Sequence, residues 1–128
     1  MLATQIPGLF IIVDPIKGRC VHSSGDIVEG DLIEVSPVIV FPEQDLNKIH
    51  NTHLHDYYFL WGEKRDQGAI ALGYGSLYNH SESPNASFEI DLSGEEIRFY
   101  CIKDISPGEE ITISYVDSDF REDVKLWF

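Results

Sequence analysis

Short apolar runs, rarely longer than five residues, alternate along the chain with Gly- and Pro-marked breaks. Pro7-Gly8, Asp14-Pro15, Gly18, Gly25, Gly30, Pro37 and Pro42 punctuate the first third. Val, Ile and Phe fill the runs between them, which is the pattern of short strands joined by turns. Leu9 to Val13 and Leu32 to Phe41 read as strands. Pro37 has no N–H to give a ladder, so the second needs an edge position or a break there. Tyr57 to Trp61 and Ala69 to Leu72 read the same way. Ala86 to Leu92 and Glu96 to Ile102 flank Ser93-Gly94-Glu95, a hairpin signal. Pro42 to Leu54 has no clear period; Leu46 and Ile49 suggest one helical turn.

From Ile111 to Tyr115 the alternation is clean. Ile111, Ile113 and Tyr115 share one face, Thr112 and Ser114 the other. After Tyr115 the period changes. Asp117 suits a helix cap, and Phe120, Val124 and Trp127/Phe128 recur at helical spacing. The pattern predicts a mostly β, α+β domain with a short C-terminal helix.

The 128 residues suffice for one domain, taken as 1–128, and 43% hydrophobic content supports a core. The net charge of −13 disfavours a general grip on nucleic acid or on an anionic membrane, and suits a basic partner. No apolar run approaches the roughly 20 residues of a membrane helix, and Met1 to Pro7 lacks the form of a secretory signal. Two cysteines, Cys20 and Cys101, cannot make a disulfide framework and fit an intracellular setting.

Three segments could carry chemistry. His50, His53 and His55 lie within six residues. A cupin-type metal site wants a His-x-His pair with a glutamate a few residues on; His53 and His55 supply the pair, but Glu63 stands too far along. The bland reading is an exposed polar loop. Tyr78-Asn79-His80-Ser81-Glu82-Ser83-Pro84-Asn85 places compact polar residues after an apolar stretch and then bends, which alone describes a turn. Ile105-Ser-Pro-Gly-Glu-Glu-Ile-Thr-Ile-Ser-Tyr115 is a turn feeding a strand that ends in an aromatic. Glu109 and Glu110, just after the turn glycine, read as solvated.

The last two segments together, about 30 residues apart, resemble the SET domain. This family of protein lysine methyltransferases uses S-adenosylmethionine. Lys17-Gly18-Arg19-Cys20-Val21 is similar to its Gly-x-Gly turn, and Ile27-Val-Glu-Gly-Asp-Leu-Ile-Glu34 to the segment that follows. The chain looks most like the minimal stand-alone viral and bacterial members. The resemblance implies short sheets around a C-terminal pseudoknot. It implies that backbone near Gly18, Arg19 and Cys20 cradles the methionine part of S-adenosyl-L-methionine, with Asn79, His80 and Phe120, or Trp127 in its place, also on the cofactor. It makes Tyr115 the catalytic residue. Tyr57, Tyr74 and Tyr78, with Tyr58 beside them, are the candidate walls of a lysine channel. No resident metal is implied. The implied partner is a basic protein tail, histone-like, met in the cytoplasm or a nucleus (a host's included), and a symmetric dimer fits the smallest members.

Cys20 stands where the family's second glycine would be, and a side chain there is expected to crowd the cofactor. Glu82 replaces a common cysteine, and Val116 to Phe120 lacks the usual glycine. These departures motivate a competing reading, a SET-like module that holds basic peptides without catalysis.

Overall fold

β1 (Leu9–Asp14) and β2 (Gly18–Ser23) form an antiparallel hairpin around Asp14-Pro15-Ile16-Lys17. Asp14 closes that turn by accepting the backbone N–H groups of Ile16 and Lys17 at 2.7 and 2.9 Å. In this computed structural model residues 5–115 are described. The β2 strand was not legible as such. Its Gly-Arg-Cys start reads as a turn, and its strand character comes from pairing with Leu9–Asp14.

The main sheet has five strands in the order β4-β5-β3-β8-β7. These are β3 (Leu32–Phe41), β4 (Tyr58–Trp61), β5 (Gln67–Ala71), β7 (Ala86–Asp91) and β8 (Glu96–Cys101). Pro37 neither ends β3 nor lies on an edge. It sits where β3 changes partner: Leu32 to Pro37 pair with β8, and Val38 to Phe41 pair with β5. A residue without a donor is tolerated at that switch, where its carbonyl accepts the Leu72 N–H at 2.9 Å. The β7–β8 hairpin forms where Ser93-Gly94-Glu95 placed it. Asp91 Oδ1 accepts Gly94 N–H at 3.0 Å, and Glu95 takes the positive φ the turn needs.

The unreadable stretch after Pro42 holds a two-turn helix, α1 (Glu43–His50), longer than its sequence suggests. Glu43 and Asp45 lie in its first turn, Lys48 and His50 in its last, as the helix dipole favours. Only Leu46 and Ile49 reach the apolar cluster of Phe41, Tyr58 and Leu60. One short apolar stripe on a polar helix is a weak period, so the sequence signal was weak.

The main core lies between the β-layers, around Val21, Ile33, Phe59, Phe99, Ile111 and Ile113. Full burial of a side chain such as Phe99 contributes about 2–3 kcal/mol. Ile111 and Ile113 are buried and Tyr115 half-buried beside them, as their shared face requires. A short 3₁₀ turn (Gly75–Leu77) leads into β6 (Asn79–His80), which pairs in parallel with β9 (Thr112–Ile113). Asn85 reinforces this closure. Its Nδ2 donates to the Glu110 carbonyl at 2.8 Å, and its Oδ1 accepts Thr112 N–H at 2.9 Å. The helix expected from Asp117, with Phe120 and Trp127/Phe128, lies outside the described residues.

Candidate active site

Four separate stretches of chain meet at one cleft of about 440 Å³. Lys17, Gly18 and Arg19 come from the β1–β2 hairpin, Asp56 and Tyr57 from the loop before β4, Ser76 and Leu77 from the 3₁₀ turn. Asn79 and Tyr115 come from the β6–β9 pair. A narrow adjoining slot of about 10 Å³ runs inward between Tyr57, Tyr58, Phe59, Gly75, Tyr78 and Tyr115. Asp56, Tyr57, Ser76 and Tyr115 line both spaces, so these residues mark their junction.

Tyr115 is fixed at three points. Its hydroxyl donates to the Tyr78 carbonyl at 2.6 Å, its backbone N–H donates to His80 Nδ1 at 2.9 Å, and its ring lies 5.2 Å from the His80 ring. Burial, and after it the nearby Asp56 carboxylate, push its phenol up to about 12. The group is therefore a neutral hydroxyl at physiological pH. His80, expected on the cofactor, here holds the Tyr115 backbone.

On the hairpin side, Gly18 has φ +81° and open space where a side chain would project. A ligand can approach that backbone closely. Asn79 Nδ2 donates to the Arg19 carbonyl at 3.0 Å and to Glu110 Oε2 at 2.8 Å, and Lys17 Nζ donates to Glu110 Oε1 at 2.6 Å. Glu110 is not solvated as its place after a turn suggested; its side chain is only 14% exposed. The backbone of 108–111 runs along β2, with Ile111 N–H on the Val21 carbonyl at 2.8 Å, and this turns Glu110 under the hairpin. Burial works to raise its carboxyl, but the Lys17 and Asn79 bonds outweigh it and hold the group below the ordinary range. Glu110 in turn raises the Lys17 ammonium. Glu109 instead closes its own turn by accepting Ser106 N–H at 2.8 Å.

Cys20, where a side chain was expected to crowd the cofactor, is turned into the protein. Its side chain is buried, with Sγ 3.3 Å from Asn79 Nδ2 and 3.6 Å from the Gly18 carbonyl. It is not part of the cleft lining. Burial, then the Glu110 charge, pushes its thiol up.

Of the tyrosines named for a channel, Tyr57 stands at the junction of cleft and slot, while Tyr58 and Tyr78 contribute to the slot wall. The hydroxyl of Tyr78 is turned away into the core, where it donates to Glu34 Oε1 at 2.6 Å. Tyr74 lines neither space; its backbone N–H donates to Glu34 Oε2 at 3.0 Å. Glu34 is thus a buried hub, also accepting Gln5 Nε2 at 2.9 Å. Gly73 passes so close to Glu34 that a side chain there would collide with it. Only the position of Glu34 at the end of an apolar run hinted at this. Asp56 had no local signal for the cleft, because Ser76 and Tyr115, which line it with Asp56, are distant in sequence.

The three histidines form a surface cluster near α1. His50 Nδ1 lies 3.2 Å from the Tyr58 hydroxyl, and His55 Nε2 lies 3.1 Å from Asp56 Oδ1. Among the described residues no three His, Cys, Asp or Glu side chains converge as a metal-binding set. Nor is any described helix long and apolar enough to cross a membrane.

Comparison with known proteins places this geometry in a family. The SET domain model matches residues 18–116. The H3 lysine-37 specific histone-lysine N-methyltransferase of Schizosaccharomyces pombe is 36% identical over 108 residues, 84% of this chain and 72% of that protein. A SET domain-containing protein of Acanthamoeba polyphaga mimivirus is 34% identical over 76 residues, 54% of this chain and 29% of its own length. The solved structure of a Plasmodium falciparum protein described as a histone methyltransferase superposes with a TM-score of 0.69 at 31% identity. It covers 87% of this chain and 95% of its own. The chain belongs to the SET domain family of protein-lysine methyltransferases.

Proposed function

We propose that the protein transfers a methyl group from S-adenosyl-L-methionine to a lysine of a basic protein tail, histone or histone-like, with Tyr115 as the catalytic residue. The observation that carries this reading is the place of Tyr115 at the junction of a cleft and a narrow slot. A methyl donor in the first and a lysine in the second would meet at that junction.

The cleft residues fit the donor. Its size lies within the usual range for small-molecule sites, roughly 300–1,000 Å³. Lys17, held by Glu110 beneath the hairpin, and Arg19 line the cleft with positive charge suited to the donor's carboxylate, beside the open backbone of Gly18 and the Asn79 amide. When bound, S-adenosylmethionine supplies an electrophilic methyl group on a sulfonium.

The tyrosine hydroxyl, neutral and held on the Tyr78 carbonyl, orients the reacting groups and offsets charge as it moves from sulfur to nitrogen. The walls of Tyr57, Tyr58 and Phe59 suit a lysine stem once the slot, about 10 Å³ without one, widens around it. The attacking amine must be neutral. With an ordinary pKa near 10.4, deprotonation at pH 7 costs about 4.6 kcal/mol. A desolvated slot beside a cationic donor lowers that cost, and no dedicated base is needed. The −13 charge raises the encounter rate with basic tails. Such tails are met inside cells, in the nucleus or cytoplasm.

The test is calorimetric titration with S-adenosylmethionine on the parent and Asn79→Ala, followed by mass spectrometry of core histones incubated with the parent and Tyr115→Phe. Saturable binding weakened by Asn79→Ala, and methylation lost in a folded Tyr115→Phe, are expected. Absence of cofactor binding by folded parent, or full activity of Tyr115→Phe, refutes the reading.

A further inference from the structure

We propose that Asp56 is the substrate-recognition residue of this site, its carboxylate drawing the target lysine's ammonium to the slot mouth. This deepens the lysine-methyltransferase reading above and rests on it.

Among the described residues Asp56 is the only acidic side chain lining either the cleft or the slot, and it lines both. Its neighbours at the junction are Tyr57, Ser76 and Tyr115. The rest of the slot wall is Tyr58, Phe59, Gly75 and Tyr78, which suits an aliphatic stem but does not itself attract a cation by full charge. An ammonium entering that wall leaves water, and a carboxylate at the rim offsets part of the loss. Of the two cations that the hairpin gives the cleft, Lys17 and Arg19, Lys17 is committed to Glu110 at 2.6 Å. His55 Nε2 lies 3.1 Å from Asp56 Oδ1 and steadies the carboxylate. The electrostatic reach of Asp56 to the Tyr115 phenol agrees with its place beside the reacting position. The side chain remains half in water, 50% exposed, which limits the strength of the attraction and makes it sensitive to salt.

The assignment separates charge recognition from shape. Two probes are used: a histone H3 tail peptide spanning lysine-37, and the same peptide with norleucine in place of that lysine. Both are titrated by fluorescence anisotropy into parent, Asp56→Asn and Asp56→Glu protein. Asp56→Asn is expected to weaken the lysine peptide about fivefold, the scale of one partly exposed charge pair, and to leave the norleucine peptide within about twofold. Raising the salt to about 0.5 M shrinks the difference, and Asp56→Glu restores most of it. In steady state, Asp56→Asn raises KM for the lysine peptide.

Equal weakening of both peptides means that Asp56 shapes the wall and does not read charge, which overturns the proposal. No weakening of either overturns it as well. A parent protein that binds neither peptide and no cofactor refutes the methyltransferase reading itself, and the cofactor titration tells that failure apart.

Discussion

Tyr78→Phe removes one oxygen from the centre of the molecule and leaves the ring and backbone in place. That hydroxyl is buried and donates to Glu34 Oε1 at 2.6 Å. Glu34 is 3% exposed, and its other bonds come from Gln5 Nε2 at 2.9 Å and Tyr74 N–H at 3.0 Å. A buried hydrogen bond to a charged group contributes about 1.5–3 kcal/mol. The substitution therefore costs about 2 kcal/mol, because the carboxylate oxygen left behind has no route to water. For a domain of this length that lowers Tm by roughly 8 °C.

The consequence for activity differs from that of a channel residue. Tyr78 holds the Tyr115 hydroxyl through its main-chain carbonyl, at 2.6 Å, and phenylalanine keeps that carbonyl. Urea unfolding and calorimetry should find the stability loss, and kinetics at a temperature where the variant is folded should find KM for the peptide within about twofold of the parent. A double-mutant cycle with Glu34→Gln should return a coupling above about 1 kcal/mol. The reasoning fails if stability changes by less than about 0.5 kcal/mol. It fails equally if KM rises tenfold at unchanged stability, since the hydroxyl would then be working on substrate and not on Glu34.

Glu110→Gln should flatten the acid limb of the stability profile. The folded carboxyl is held below its ordinary range, so its contribution is present above that range and fades as pH falls through the folded value; urea midpoints from about pH 6 to pH 3 measure it. Cys20→Gly should weaken the protein by about 1–2 kcal/mol without tightening S-adenosylmethionine, because the thiol fills a buried site and leaves the cleft open; denaturation beside calorimetric titration decides it. Ser36→Ala should be neutral or stabilise by about 1 kcal/mol. The Ser36 hydroxyl is fully buried and has no hydrogen-bond partner among the described residues; a thermal melt reads the outcome, and a clear loss of stability would reveal a partner.

The strands were legible where periodicity acts locally. Leu9 to Val13, the Ser93-Gly94-Glu95 hairpin and the Ile111-Ile113-Tyr115 face each follow from two-residue alternation and a turn signal. The β2 strand was not, because Gly18 and Arg19 carry no strand preference and Leu9–Asp14 supplies the pairing. The α1 helix was not, because its single apolar stripe of Leu46 and Ile49 is shorter than the window in which a helical period stands out. Among the cleft-lining residues, Tyr115, Asn79 and Gly18 were named through motif order and Tyr57 by its position. Glu110 and Asp56 were not, since a charged residue in a loop looks solvated until the fold lays another segment over it.

That covering segment explains how the chain accommodates cysteine where the motif has glycine. Gly18 shows open backbone at the cleft, while the Cys20 side chain is buried against the Asn79 amide and does not line the cleft. Two residues along a strand share a face, but Gly18 opens β2 at a positive φ of 81°, which breaks the alternation at its start. The side chain at Cys20 then falls on the inner face with the neighbouring core, where Asn79 and the 108–111 segment enclose it. A glycine at that position would leave the Asn79 amide one contact fewer and a small void under the hairpin. The position therefore tolerates a small buried side chain provided Gly18 keeps its conformation, and the residue whose replacement should abolish cofactor binding is Gly18, not Cys20. Gly18→Val, strained at positive φ, against Cys20→Ala, measured by the same titration, separates the two: equal losses of affinity would show that the cleft depends on both positions alike.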